Sequence, residues 1–325
     1  MDLKVKYLGL DLKNPLVASS SPLTANIGKI EELYRHGIGA VVLKSIFEEQ
    51  ITGEATVLQR YNDYAEAAAY LRTYIGNDYV KSFVNLIKDA KQRTDIPVIA
   101  SINCATEGKW IDYALKIQEA GADALELNIF FLPNDPKIEG GDIVDKYLHI
   151  IATIVSMLEI PVSVKLSLRF TNILNVTQQI YYRKAKGVVM YNRFFEPDIN
   201  IETMEYTAAD GTSSPKELHN SLRDIAVTSA IVPGLDISAS TGIHSGEDAV
   251  KAILAGAKTV QLCSTILKNG MDVIGGIKDF MCKWMDKNTF DDVSDFCGLM
   301  NKKMRLDDPA LERVQYMKYF PGTGL

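Results

Sequence analysis

Eight short apolar runs punctuate the chain, and nearly every one stops on a polar residue. They are LVASS ending at Ser20, VVLKS at Lys44 and Ser45, VIASIN at Asn103, LELNI with Asn128, VSVKL with Lys165, VVMYN at Asn192, LDISAST at Thr241 and VQLCS at Ser264. Read as strands, they deliver their polar ends to one rim. Amphipathic segments lie between most of them, and this β-then-α alternation builds a parallel sheet that eight units close into a (β/α)8 TIM barrel. In that fold the chemistry sits at the C-terminal strand ends.

The opening VKYLGLDLKNP alternates apolar and polar around a glycine turn and predicts an N-terminal β-hairpin, placed to cap the barrel floor. Helical spacing of Ile27, Ile30, Leu33 and Tyr34, closed by Gly37, predicts a helix in IGKIEELYRHG. Further helices are expected in TEGKWIDYALKIQEAGA, GDIVDKYLHIIATIVSMLEI, SPKELHNSLRDIAVTSA and SGEDAVKAILAGA. A helix ending in a small-residue turn before a strand recurs in HGIGAVVLKS, EAGADALELNI, KAKGVVMYN and LAGAKTVQLCS, a weak internal repeat that favours a barrel. Long βα connections follow Lys44, Asn128 and Asn192 and belong over the catalytic face. Two more helices, MDVIGGIKDFMCKWMDKN and DDVSDFCGLMNKK, precede a tail, and their aromatic and Met stripes read as packing. Residues 1–325 are expected to form one domain.

Composition narrows the function. With 47% hydrophobic residues in 325 the chain can bury a large core, and its net charge of −6 argues against a nucleic-acid partner and for a small molecule. Cys104, Cys263, Cys282 and Cys297 lack CxxC or CxxH spacing, and the four histidines lack metal-ligand spacing, so no metal site is expected. Charges interrupt the N-terminus, and no run nears the roughly 18 apolar residues of a membrane span. A soluble, cytoplasmic protein with reduced thiols is the expectation.

Lys44 and Lys165 interrupt otherwise buried strands, where an unpaired ammonium is costly. Each either lies just past the rim in water or faces a ligand; Asn103, Asn128 and Asn192 on the same rim favour an anion-binding, hydrogen-bonding pocket. Ser240, Thr241 and Gly242 precede a helix start and, with TVQLCSTIL one unit later, match the phosphate site common to the last two units of such barrels, although an ordinary βα turn reads the same way. His244 flanks that turn and is the histidine worth testing, whereas His36 and His149 lie inside helical segments.

In order, NPLVASSSP, AVVLKS, ADALELNI, VKL, MYN, TGIHSGEDAVKAILAGA and QLCSTIL resemble the dihydroorotate dehydrogenase family, the flavin mononucleotide (FMN) barrels of pyrimidine synthesis, and especially its cytosolic class. The resemblance spans most of the chain. It implies FMN as cofactor, a small anionic substrate such as dihydroorotate oxidised by hydride transfer to the flavin, and a homodimer. It places Ser19, Ser20 and Asn103 beside the flavin, Lys44 and Ser45 against flavin and substrate, and Asn128 and Lys165 on the ring. Asn192, Asn128 and Asn134 would meet the substrate, and the backbone at Thr241–Gly242 and Ser264–Thr265 would hold the phosphate.

Departures accompany the match. Where the family carries a Cys or Ser base before Pro-Asn, this chain has Phe130, Phe131 and Leu132 ahead of Pro133 and Asn134. A positioned base contributes on the order of 10²–10⁴ in rate; Cys104 is the candidate stand-in. The Asn-Ser-Met-Gly-Leu-Pro-Asn stretch is replaced by NDYAEAAAYL, the family's Gly-Gly pair is reduced to Thr241–Gly242, and its Gly-Thr appears as Cys263–Ser264. Phe130 and Phe131 are expected to reshape the pocket over the flavin. Two rival readings are a phosphate-binding lyase or aldolase using Lys44 or Lys165 as a Schiff-base nucleophile, and a flavin-binding paralogue without catalysis.

Overall fold

The structure is a computed structural model, and it describes residues 1–52, 77–105, 110–131, 133–193, 196–301 and 314. A hairpin of β1 (Val5–Tyr7) and β2 (Leu10–Leu12) opens the chain. There follow β3 (Leu16–Ala18), α1 (Ile27–Arg35), β4 (Ala40–Val42), β5 (Ile46–Phe47), α2 (Glu48–Thr52), α3 (Asn77–Arg93), β6 (Val98–Cys104), α4 (Trp110–Glu119), β7 (Ala124–Ile129), α5 (Gly140–Met157), β8 (Val162–Lys165), α6 (Ile173–Tyr182) and β9 (Gly187–Met190). A second hairpin, β10 (Pro197–Asn200) and β11 (Glu205–Ala208), precedes α7 (His219–Ile231), β12 (Asp236–Ser240), α8 (Gly246–Ala255), β13 (Thr259–Leu262), α9 (Ser264–Asn269) and α10 (Val273–Lys287).

The parallel ladder runs β4-β3-β13-β12-β9-β8-β7-β6, and β4 also pairs with β6, which closes an eight-stranded (β/α)8 barrel. Each strand sends alternate residues to opposite faces. On β7, Leu125, Leu127 and Ile129 join the main apolar cluster, which also takes residues from the surrounding helices. Glu126 and Asn128 have the opposite parity and point into the barrel. The helices fold for the expected reason: Asn26 caps α1 by accepting from the Lys29 N–H at 3.0 Å, and Ile30 and Leu33 are fully buried.

The first hairpin is the barrel floor. Tyr7, Leu8 and Leu12 form a second buried cluster with Val17, Ala40, Val42, Ile99 and Ala124, the inward residues at the strand starts. The Leu8 N–H donates to Asp236 Oδ2 at 2.7 Å, and a Cβ at Gly187 would lie 2.6 Å from Leu8 Cδ2, so a glycine there makes room for the plug.

Four elements differ from expectation. α3 and α6 are helices the pattern did not single out, and residues after Asn192 include the β10–β11 hairpin. The segment starting DDVSDF forms only a 3-10 turn at Val293–Asp295, which Asp292 caps at its start, and the left-handed backbone of Gly298, φ 72°, is incompatible with a helix running through it. NDYAEAAAYL and the C-terminal tail, apart from Val314, lie outside the described residues.

Candidate active site

Strand register assembles the rim. Asn103, Asn128 and Lys165 are direct lateral neighbours on β6, β7 and β8. One layer below, Ser101, Glu126 and Ser163 are neighbours in the same way, and Ser240 pairs with Gln261 across β12 and β13. Barrel interiors are dominated by branched apolar residues; this one is polar through its upper layers.

The polar layer is wired together. Ser19 Oγ donates to Gln261 Oε1 (2.9 Å), Gln261 Nε2 donates to Glu126 Oε2 (2.7 Å), and Lys165 Nζ reaches Ser19 Oγ and Gln261 Oε1 at 3.3 Å each. Lys165 Nζ also lies 3.7 Å from Glu126 Oε1. Lys165 is 6% exposed and Glu126 1%. Taking two such charges out of water costs several kcal/mol per ion, which their attraction and hydrogen bonds must offset. On the other side, Asn192 Nδ2 donates to Asn128 Oδ1 at 2.9 Å, leaving the Asn128 amide N–H₂ and the Asn192 carbonyl oxygen with capacity for a further partner. Ser20 Oγ, Ser45 Oγ and Ser101 Oγ form a chain with spacings of 3.0 and 2.8 Å.

Above this layer a cavity of about 190 Å³ is lined by Ser19, Ser20, Lys165, Asn192, Thr241, Gly242 and Ser264, among others. Thr241 and Gly242 both have left-handed backbone, φ 74° and 83°, and a Cβ on residue 242 would lie 2.2 Å from the Leu218 nitrogen. Only glycine fits there. Left-handed turns of this kind can present main-chain N–H groups to an anion; here the Gly242 N–H reaches Ser213 Oγ at 3.4 Å. Ser213 Oγ lies 3.0 Å from His244 Nε2, its N–H donates to Ser264 Oγ (2.9 Å), and Lys268 Nζ donates to its carbonyl (3.0 Å). Burial, then the Lys268 charge, hold the His244 imidazole below its ordinary range. Thr265 is buried, with its hydroxyl on the His244 carbonyl at 3.2 Å.

The other expected residues are not brought to this cavity. Beyond Val42 the strand ends, the Lys44 N–H bonds the Thr24 carbonyl at 3.3 Å, and Lys44 lines a separate cleft of about 320 Å³ with Asn26, Tyr79 and Asp89. Cys104 shares the parity of Ala100 and Ile102 and is buried in the sheet–helix layer at 1% exposure. Asn134 is exposed on the loop before α5. Phe131 turns away from the barrel axis: it packs edge-on against Tyr147 (5.2 Å), with Lys146 Nζ 4.2 Å over its ring. It lines an outer cleft of about 610 Å³ between α5 and α6 instead of roofing the Lys165 cavity. Cys263 does line that cavity, but burial pushes its thiol up, so it is a poor base at neutral pH.

Sequence reasoning passed over Glu126, Gln261, Arg193 and Ser213. The first two carried a signal, since each is a polar residue inside an apolar run with the parity of a rim residue. Arg193 follows Asn192 directly and is gripped by Glu217 (3.2 Å) and Glu196 (3.6 Å). Ser213 sits in a loop with no pattern to mark it. Among the described residues no group of three metal-ligating side chains occurs, and no helix is long and apolar enough to cross a membrane.

A family model described as dihydroorotate dehydrogenase matches residues 2–285. A protein of Thermoplasma acidophilum named dihydroorotate dehydrogenase B (NAD(+)), catalytic subunit, is 30% identical over 307 residues, 92% of this chain and 98% of the relative. Proteins of the same name from Methanocaldococcus jannaschii and Pyrococcus furiosus are 26% and 25% identical, covering 85% and 93% of this chain and 91% and 100% of their own lengths.

Proposed function

The chain belongs to the dihydroorotate dehydrogenase family, and from that premise we propose that it is an FMN-dependent oxidoreductase that oxidises dihydroorotate or a related small anionic substrate. One observation carries the reading. Seven residues that the family resemblance assigns to flavin or substrate line a single cavity, with the buried cation of Lys165 at one side and the left-handed Thr241–Gly242 turn at another.

The residues suit the group. A flavin needs an anion seat for its phosphate and a cation beside the ring edge where negative charge develops on reduction. Main-chain donors at Thr241–Gly242, with Ser264, His244 and Lys268 nearby, would hold the phosphate; Lys165, Ser19, Ser20, Ser45, Asn103, Asn128 and Thr265 would frame the rest. Bound FMN would supply the hydride acceptor. Asn128 and Asn192 would orient the substrate through the amide atoms their mutual bond leaves over, and Lys165 would place a fixed positive charge where the ring gains electrons. Lys44 and Asn134 join the substrate side in this reading, both on segments outside the cavity.

The family's base position holds phenylalanine, so oxidation of dihydroorotate is expected to be slower than with a positioned base, by about 10²–10⁴. The Schiff-base alternative gains no support at Lys165: a nucleophilic lysine is activated by an apolar pocket or a second cation, whereas Lys165 has a carboxylate and two acceptors around it. One domain, a cytoplasmic location and a homodimer complete the proposal. The β10–β11 hairpin supports the last, since Ile199, Ile201, Met204 and Tyr206 are 58–86% exposed on it. Anaerobic addition of dihydroorotate to the FMN-loaded protein tests the function. Slow bleaching of the flavin absorbance supports it, and an unchanged spectrum over hours removes dihydroorotate as substrate.

A further inference from the structure

We propose that Glu126 is a positioning residue for Lys165, holding the ammonium in place beneath the flavin ring; this rests on the flavin reading above. Glu126 lies mid-strand on β7, fully inside the barrel, one layer below Asn128. Its two oxygens have different duties. Oε2 accepts from Gln261 Nε2 at 2.7 Å, while Oε1 has no hydrogen-bond partner and faces Lys165 Nζ at 3.7 Å.

The first contact fixes the second partner. Because Glu126 accepts from the amide nitrogen of Gln261, the opposite end of that amide, Oε1, must point toward Ser19 and Lys165, as its distances of 2.9 and 3.3 Å show. Without the carboxylate, Gln261 is free to turn its N–H₂ toward the ammonium, replacing an acceptor by a competing donor. Glu126 therefore acts on Lys165 directly, as counter-charge, and through Gln261, as an aimed acceptor. All three contacts to Nζ are long, between 3.3 and 3.7 Å. Such a cation is held in place without being saturated, which leaves it able to serve a group above it. A buried pair kept only for stability gains nothing from such geometry, since apolar replacements are often neutral or stabilising.

Sulfite provides the test. Its sulfur lone pair forms a bond to flavin N5, no atom leaves, and the added negative charge stays on the ring, so affinity reports a correctly placed cation. In FMN-loaded protein, Glu126→Gln is expected to weaken sulfite binding on the order of tenfold with FMN still bound. The double exchange Glu126→Gln with Gln261→Glu, which moves the carboxylate to a position already 3.3 Å from Nζ, is expected to restore most of it. Parental sulfite affinity in Glu126→Gln, or tighter binding, overturns the proposal, as does a folded exchange variant that restores nothing. If the parent takes up no FMN, the flavin reading fails, and thermal unfolding of the apoprotein decides this one. Glu126→Leu should lower the midpoint and the added Lys165→Met should recover it; additive effects of the two substitutions overturn the pairing.

Discussion

The two halves of the barrel mouth differ in how completely they are built. From β8 through β13, Lys165, Asn192, Thr241, Gly242 and Ser264 converge on one cavity and are tied to neighbours by named hydrogen bonds. From β4 through the loop after β7, Lys44 lines another cleft, Cys104 faces the helices, and Phe131 packs outward on Tyr147. The first half draws its residues from strand ends and a tight turn, whose positions follow from register and parity. The second depends on long loops, whose conformation neither parity nor register dictates. By the family reading, the first half would supply the phosphate turn and Lys165, and the second carries Lys44, Asn134 and the Phe130–Phe131 loop, where the chain departs from the family pattern.

That contrast can be attacked from its strongest point. Lys165→Met should lower turnover by about 10²–10³, the typical cost of removing a donor aimed at developing charge; steady-state kinetics of FMN-loaded protein measures it, and a loss under tenfold would remove the role given to Lys165. Gly242→Ala puts a Cβ 2.2 Å from the Leu218 nitrogen at φ 83°. It should cost about 1–3 kcal/mol in urea unfolding and abolish measurable FMN uptake. Lys44→Ala should reduce kcat/KM about tenfold, as for a lost charged hydrogen bond, while leaving FMN affinity unchanged. A variant that loses FMN instead would join Lys44 to the first half.

Two smaller effects concern pH. His244 is held low by burial and by Lys268, and a bound phosphate would favour its protonated form. Binding then takes up a proton, so FMN affinity should rise about threefold as pH falls from about 8 to about 6.5, and His244→Asn should flatten the slope in fluorescence titrations. Asp236, beneath the floor plug, is raised above its usual carboxylate range, chiefly by burial. A raised carboxylate contributes most below its unfolded value and loses that contribution as pH rises through the folded value. The stability of the parent in urea should therefore fall relative to Asp236→Asn as pH rises above the ordinary carboxylate range, and parallel pH profiles of the two would remove this role of Asp236.

The eight apolar runs ending in polar residues revealed the barrel and most of its rim, because alternation in a strand fixes which side chains share a face. The floor hairpin was legible for the same reason. α6 was not, since NILNVTQQIYY mixes Asn, Thr and β-branched residues that lower helix propensity. α3 carries a helical repeat at Phe83, Ile87 and Ala90, all buried, but it follows a long polar insertion that blurred its start. Glu126 and Gln261 were visible in principle. A Glu inside LELNI and a Gln inside TVQLCS sit at inward parity, but their apolar neighbours give each run the profile of a uniformly buried strand. The side-chain directions of Lys44 and Phe131 were beyond reach, because both lie where strand geometry has ended.

The measurement that goes most directly to the central claim is a titration of apoprotein with FMN, followed by flavin fluorescence, in the parent, Gly242→Ala and Lys44→Ala proteins. Stoichiometric uptake is expected for the parent and Lys44→Ala, and none for Gly242→Ala. Equal uptake by all three, or none by the parent, would contradict the claim.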